Sequence, residues 1–148
     1  MLIRLMVETD YDAVYALWQR TPGMAKSDFD DTREAITRYL RRNPTTSFVA
    51  ESQGEIVGVI LCGHDGRRGF IYHMAVDTVA RRQGIGRELL AHALAALKAE
   101  GIRKAALLVF ATNEIGNAFW EQQGFAARED IRYRNLDLTD TPSNGCSC

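Results

Sequence analysis

Met74-Ala75-Val76-Asp77, followed closely by Arg81-Arg82-Gln83-Gly84-Ile85-Gly86-Arg87, is the stretch whose reading decides the fold. It reads as a β-strand, a short basic loop with two glycines, and a helix that begins near Ile85. Unpaired backbone N–H groups at a helix N-terminus, together with the helix dipole, attract an anion. Gly84 and Gly86 let the backbone approach that anion with no Cβ in the way. Arg81, Arg82 and Arg87 add full charges and forked donors suited to phosphate oxygens. The expected ligand is a phosphate or pyrophosphate on an organic cofactor. A Rossmann fingerprint would need a third glycine where Leu89 stands. A P-loop would need Gly-Lys-Ser/Thr, which the chain lacks.

Outward from this stretch the elements fall in a simple order. Ile3 to Val7 reads as a first strand. Thr9 or Asp10 can cap a helix carrying Val14, Leu17 and Trp18, which Thr21-Pro22-Gly23 stops. Residues 21–31 form a polar loop. A second helix carries Ile36, Tyr39 and Leu40 and ends at Asn43-Pro44. Ser47 to Ala50 and Glu55 to Cys62 are strands joined at Ser52-Gln53-Gly54. After a polar turn at His64 to Gly69 comes the strand that enters the glycine loop. The next helix has Ile85, Leu89, Leu90, Ala93, Leu94 and Leu97 on one side and stops at Gly101. Ala105 to Phe110 is nearly continuous apolar sequence, as expected of a central buried strand. Asn113 to Gln122 is helical, with Ile115, Ala118 and Phe119 inward, and two short strands are expected at 125–138. The order βααβββαβαββ predicts one α/β (α+β) domain over residues 1–138, with a mixed, mostly antiparallel sheet flanked by helices. Residues 139–148 read as a disordered C-terminal tail.

The chain has 148 residues, long enough for one domain with a substantial core. Its net charge is −1, which argues against a general nucleic-acid binder or a polybasic membrane binder. No apolar run is long enough to span a bilayer, and the N-terminus shows no signal-peptide pattern. The three cysteines do not form a disulfide framework, which fits a cytoplasmic location. Cys146-Ser147-Cys148 makes a poor metal site, so no metal is expected.

Arg81-x-x-Gly84-x-Gly86 after a strand ending Ala-Val-Asp resembles the acetyl-coenzyme A signature of the GNAT N-acetyltransferase superfamily. Asn113, Ala118-Phe119-Trp120 and Gly124-Phe125 resemble the Asn…Ala-x-Tyr…Gly-Phe pattern of that superfamily's last helix. The resemblance covers roughly residues 2–138 and lies toward small bacterial RimI- and YpeA-like members. It implies the GNAT fold and acetyl-CoA as cosubstrate. The reaction it implies is direct transfer to a primary amine, on a protein N-terminus or a small molecule, in a ternary complex. Met74, Ala75 and Val76 would pair with the pantetheine arm. Arg81, Arg82, Gln83, Gly84, Ile85, Gly86 and Arg87 would hold the pyrophosphate, with Asn113 and Trp120 completing the cofactor site. A homodimer is common among such enzymes.

Two positions depart from that pattern. Trp120 stands where the superfamily usually has a tyrosine that protonates the leaving thiolate, and an indole is no acid at working pH. Leu108 stands where RimI-like members carry a glutamate base. Tyr72 is the candidate replacement, since strand alternation places it on the face of Met74 with His73 opposite. Tyr72 also reads as an aromatic wall of the acceptor pocket. His73 reads as a hydrogen-bonded core histidine. Two other readings stay open from sequence: a domain that binds acetyl-CoA without turnover, and an acetyltransferase acting on aminoacyl-tRNA.

Overall fold

The computed structural model describes residues 1–24 and 26–139. The strands are β1 (Leu2–Leu5), β2 (Phe48–Ser52), β3 (Glu55–His64), β4 (Gly69–Val76) and β5 (Ala105–Leu107). The helices are α1 (Tyr11–Arg20), α2 (Arg33–Arg42), α3 (Ile85–Ala99) and α4 (Glu114–Gln122). The strands form one sheet in the order β1-β2-β3-β4-β5, antiparallel throughout except for the parallel β4–β5 pair. This is the mixed, mostly antiparallel α/β architecture that the sequence predicts.

The apolar stripes explain the layers. Val14, Leu17 and Trp18 of α1, with Ile36 and Leu40 of α2, cover one face of the sheet over Val49, Val59, Leu61 and Ala75. Leu89, Leu90, Ala93 and Leu97 of α3 cover the other over Ala50, Ile60, Cys62 and Ile71. Each such side chain contributes about 1.5–3 kcal/mol when fully buried. Strand β3 is buried from Ile56 to Gly63, which is why its sequence is apolar without alternation. Thr32 starts α2 by accepting a hydrogen bond from the Ala35 N–H at 3.1 Å. Gly63 lets α2 approach β3, because a Cβ there would collide with the Tyr39 hydroxyl and the Asn43 amide. Arg4 ties β1 to the start of α1 by two 2.8 Å bonds to Asp10, and reaches Glu51 of β2 at 2.9 Å.

Three expectations are corrected in the C-terminal third. The run from Ala105 to Phe110 is not a central strand: only Ala105–Leu107 pair, at the edge of the sheet. Strand β4 departs from this line after Ile71, so Leu108 to Phe110 have no strand to pair with. Helix α4 buries no residue, and Ile115 is 79% exposed, so the expected inward stripe is reduced to a half-buried Phe119. Residues 125–138 form no strand. Ile131, Tyr133, Leu136 and Leu138 alternate imperfectly among charges and are all exposed, and a three-residue edge strand offers them no ladder. Of the expected tail, Thr139 is the one described residue; 140–148 lie outside the described residues.

Candidate active site

The N-terminus of α3 is built to leave donors free. Gly84 is its N-cap, in the left-handed region at φ 76°, and has no side chain to cap with. The first intrahelical bond runs from the Glu88 N–H to the Gly84 carbonyl at 3.0 Å. The N–H groups of Ile85, Gly86 and Arg87 are the donors that this geometry leaves for an outside acceptor. A Cβ at Gly86 would have Met74 Cε and Phe119 Cζ as its nearest neighbours, each at 3.5 Å, so the position faces the space between β4 and α4. Arg82, at φ 67°, holds a strained left-handed turn in the same loop. Arg20 at the end of α1 fixes the loop's entry through Asp77, with Nη2 2.9 Å from the carboxylate.

Strand β4 supplies the second feature. Among the described residues it pairs with β5 only at Gly69, Phe70 and Ile71, so from Tyr72 to Val76 its outer edge is open. Its inner edge pairs with β3, where Val59 faces Ala75 and Ile60 faces Met74. An extended, amide-bearing ligand can pair with such an edge as a further strand would.

The two features open into one groove of about 1650 Å3. Tyr72, Met74, Ala75 and Val76 line it from β4. Arg81, Arg82, Gly84, Ile85, Gly86 and Arg87 line it from the loop and α3, and Asn113 and Trp120 from α4. Of the expected set, only Gln83 is absent from the lining. Asn113 also caps α4, accepting from the Gly116 N–H at 2.9 Å. Trp120 is wedged edge-on between Phe119 and Phe125, at centroid distances of 5.0 and 5.2 Å. Leu108 borders the groove with a hydrocarbon side chain.

The expected face of Tyr72 is corrected. Leu61 pairs with His73 and Cys62 with Ile71, so Tyr72 is the extra residue of a β-bulge. The bulge resets the alternation. Tyr72 turns toward α2, with its ring 5.7 Å from Tyr39 and 4.7 Å from Phe70, whereas Met74 packs on the α3 side. Nothing in the residue types announces this. Burial, then the negative charge of Asp30 and the neighbouring Tyr133, push the Tyr72 phenol above its usual range, so it keeps its proton.

His73 points toward α1, as its sequence reading expects. Its Nε2 lies 2.9 and 3.1 Å from the two Asp31 oxygens, and its ring stands edge-on to Trp18 at 4.8 Å. Asp31 also accepts from the Ser27 N–H at 2.7 Å, and its carbonyl accepts from the Tyr11 hydroxyl at 2.7 Å. The loop before α2 is thereby tied to β4. Sequence reasoning missed this anchor, and it missed Arg38 and Arg42, which line the groove from α2. Their four-residue spacing on a helix was the available signal. Cys62 is buried on the α3 side, and burial pushes its thiol up to about 12.

Known proteins share this fold. The pattern of the Acetyltransferase (GNAT) family matches residues 11–125. An acetyltransferase from Pectobacterium atrosepticum is 34% identical over 122 residues, covering 82% of this chain and 85% of that relative. The solved ribosomal-protein-S18-alanine N-acetyltransferase from Escherichia coli superposes with a TM-score of 0.68 at 25% identity, over 83% of this chain and 76% of its own. The PaiA N-acetyltransferase from Thermoplasma acidophilum, solved in complex with coenzyme A, shares the fold with a TM-score of 0.75 at 18% identity, over 88% of this chain and 92% of its own. With the family pattern and a close relative both covering most of its length, the chain belongs to the GNAT acetyltransferase family and is an acyltransferase.

Proposed function

We propose that this chain moves the acetyl group of acetyl-CoA directly to a primary amine while both are bound in the one groove. The observation that carries the reading is the continuity of that groove. It runs from the free N–H groups of α3, along the open edge of β4, to the loop before α2.

The residues present fit acetyl-CoA. The loop donors with Arg81, Arg82 and Arg87 suit its pyrophosphate. The open edge at Met74, Ala75 and Val76 suits the amides of its pantetheine arm, and Trp120 with Asn113 forms the facing wall. When bound, acetyl-CoA supplies the thioester carbonyl that the amine attacks. A free backbone N–H at Met74 or Ala75 would bind the negative charge that develops on the carbonyl oxygen. The amine nitrogen bonds to the acetyl carbon as the carbon–sulfur bond breaks. Water takes the amine proton and returns one to the thiolate. A thiol pKa of about 8.5 makes the thiolate a tolerable leaving group without an acid. Tyr72 serves as a wall of the acceptor pocket, since the bulge turns it toward Tyr39. No covalent acetyl-enzyme is needed, and the buried Cys62 thiol is not suited to form one.

The test is free-thiol release from acetyl-CoA against a panel of primary amines, with each product identified by mass spectrometry. Amine-dependent release is expected. Release no faster than hydrolysis with every amine would refute the reading.

A further inference from the structure

The groove carries charges that acetyl transfer does not use. Helix α2 has four arginines along its length, Arg33, Arg38, Arg41 and Arg42. Those facing away from the groove are neutralised: Arg33 pairs with Asp12, and Arg41 with Glu8 at 2.7 Å. Arg38 and Arg42 face the groove, are exposed, and bridge to no carboxylate among the described residues. Four residues apart, they stand one above the other, about 6 Å along the helix axis. Two like charges at that spacing repel each other, and an incoming carboxylate would relieve the repulsion. Tyr39 stands beside them, and its ring is 5.7 Å from that of Tyr72.

The same groove also carries a negative charge beside Tyr72. Asp30 lines the groove, and its charge acts on the Tyr72 phenol. The bases there are weak or engaged: Asp30 is a weakly basic carboxylate, and among the described lining residues the one imidazole, His73, is held by Asp31. An acceptor amine that already has much of its neutral form is therefore favoured. An α-amine, with a pKa of about 7.7–8.0 against about 10.4 for a lysine side chain, has roughly 300 times more of its neutral form at pH 7.

Resting on the acetyltransferase reading above, we infer that the acceptor is a peptide N-terminus with an acidic side chain in its first few residues. Its α-amine lies at Tyr72 and Asp30, and its carboxylate lies on Arg38 and Arg42.

The experiment measures kcat/KM with three peptide amides, Ala-Glu-Glu-Gly, Ala-Gln-Gln-Gly and Ala-Lys-Lys-Gly. An exposed arginine–carboxylate pair is typically worth about a two- to fivefold preference. Wild type should therefore favour the glutamate peptide over the glutamine peptide by about 4–25-fold at low salt, and less at high salt. In the double variant Arg38→Gln/Arg42→Gln the ratio should fall to about one. In Arg38→Glu/Arg42→Glu the lysine peptide should become the best substrate. Both arginines are exposed, and an unchanged melting temperature verifies the fold. Turnover of all three peptides without an acidic preference, or a preference that survives the double glutamine variant, overturns the inference and leaves the acetyltransferase reading standing. Absence of turnover with every peptide and every amine overturns both.

Discussion

The glycine at position 86 separates folding from function, because its replacement by glutamate should move the two in opposite directions. Gly86 is the second residue of α3 and has ordinary helical backbone, so no left-handed conformation is lost. Its Cβ would sit in ordinary contact with Met74 and Phe119 at 3.5 Å. Replacing a helical glycine gains about 0.5–1 kcal/mol, and a carboxylate in the first turn adds about 0.3–1 kcal/mol through the helix dipole. The Gly86→Glu protein should therefore melt a few degrees higher, at about 3 °C per kcal/mol for a chain of this size. Acetyl-CoA should bind far worse. The new carboxylate shares the site of the pyrophosphate, and two unit charges about 4 Å apart repel by about 4 kcal/mol at an effective dielectric of 20. A loss of at least about 100-fold in affinity follows, since each 1.4 kcal/mol is a factor of ten. Calorimetric titration with CoA and a thermal melt read the two effects separately. Unchanged affinity would refute the placement of the pyrophosphate at α3. A lower melting temperature would refute the packing described around Gly86.

Other outcomes follow from the same geometry. Asp31→Ala and His73→Ala each cut the tie between the loop before α2 and β4; they should raise the acceptor KM severalfold, leave the acetyl-CoA KM unchanged, and cost about 1–3 kcal/mol of stability. An equal rise in both KM values would show a general structural defect instead. Tyr72→Phe should keep kcat within about threefold and shift the acceptor KM, whereas a proton-donor role would cost kcat about 10²–10⁴-fold. Trp120→Phe should keep most activity, and Trp120→Ala should weaken acetyl-CoA binding through loss of the wall. Burial alone would raise the Asp10 carboxyl, but the Arg4 guanidinium and the Val7 N–H outweigh it and hold it below the usual aspartate range. A depressed folded pKa gives stability that is full above the unfolded value and lost as pH falls through the folded one. Asp10→Asn should thus destabilise at pH 7, and its difference from wild type should shrink below about pH 4, as chemical denaturation at several pH values would read.

The parts of the fold visible in the sequence were those with strong periodicity or distinctive turn chemistry. The stripe from Ile85 to Leu97 fixes α3 against the sheet, and Gly84 with Gly86 marks where its N-terminus opens. Asn43-Pro44 ends α2 where the sequence places its stop. The failures share a physical cause, since each depends on what lies opposite a residue. Alternation cannot reveal the bulge at Tyr72, which is set by the register between β3 and β4. The apolar run after Ala105 looks like a central strand, yet its length in the sheet is fixed by where β4 stops pairing with it. Residues 125–138 have strand-like composition, but a strand needs a ladder, and the edge at β5 is three residues long. Within the site, the cofactor loop is local sequence and could be read; the Asp31–His73 tie joins residues 42 positions apart and could not.

The central claim is direct transfer between two reactants held together in one groove, and initial-rate kinetics test it most directly. Acetyl-CoA and a turned-over amine are varied against each other, with CoA release as the readout. Lines that intersect in the double-reciprocal plot are expected, because both reactants must be bound before the acetyl group moves. Parallel lines, together with an acetylated protein isolated when the amine is omitted, would contradict the account.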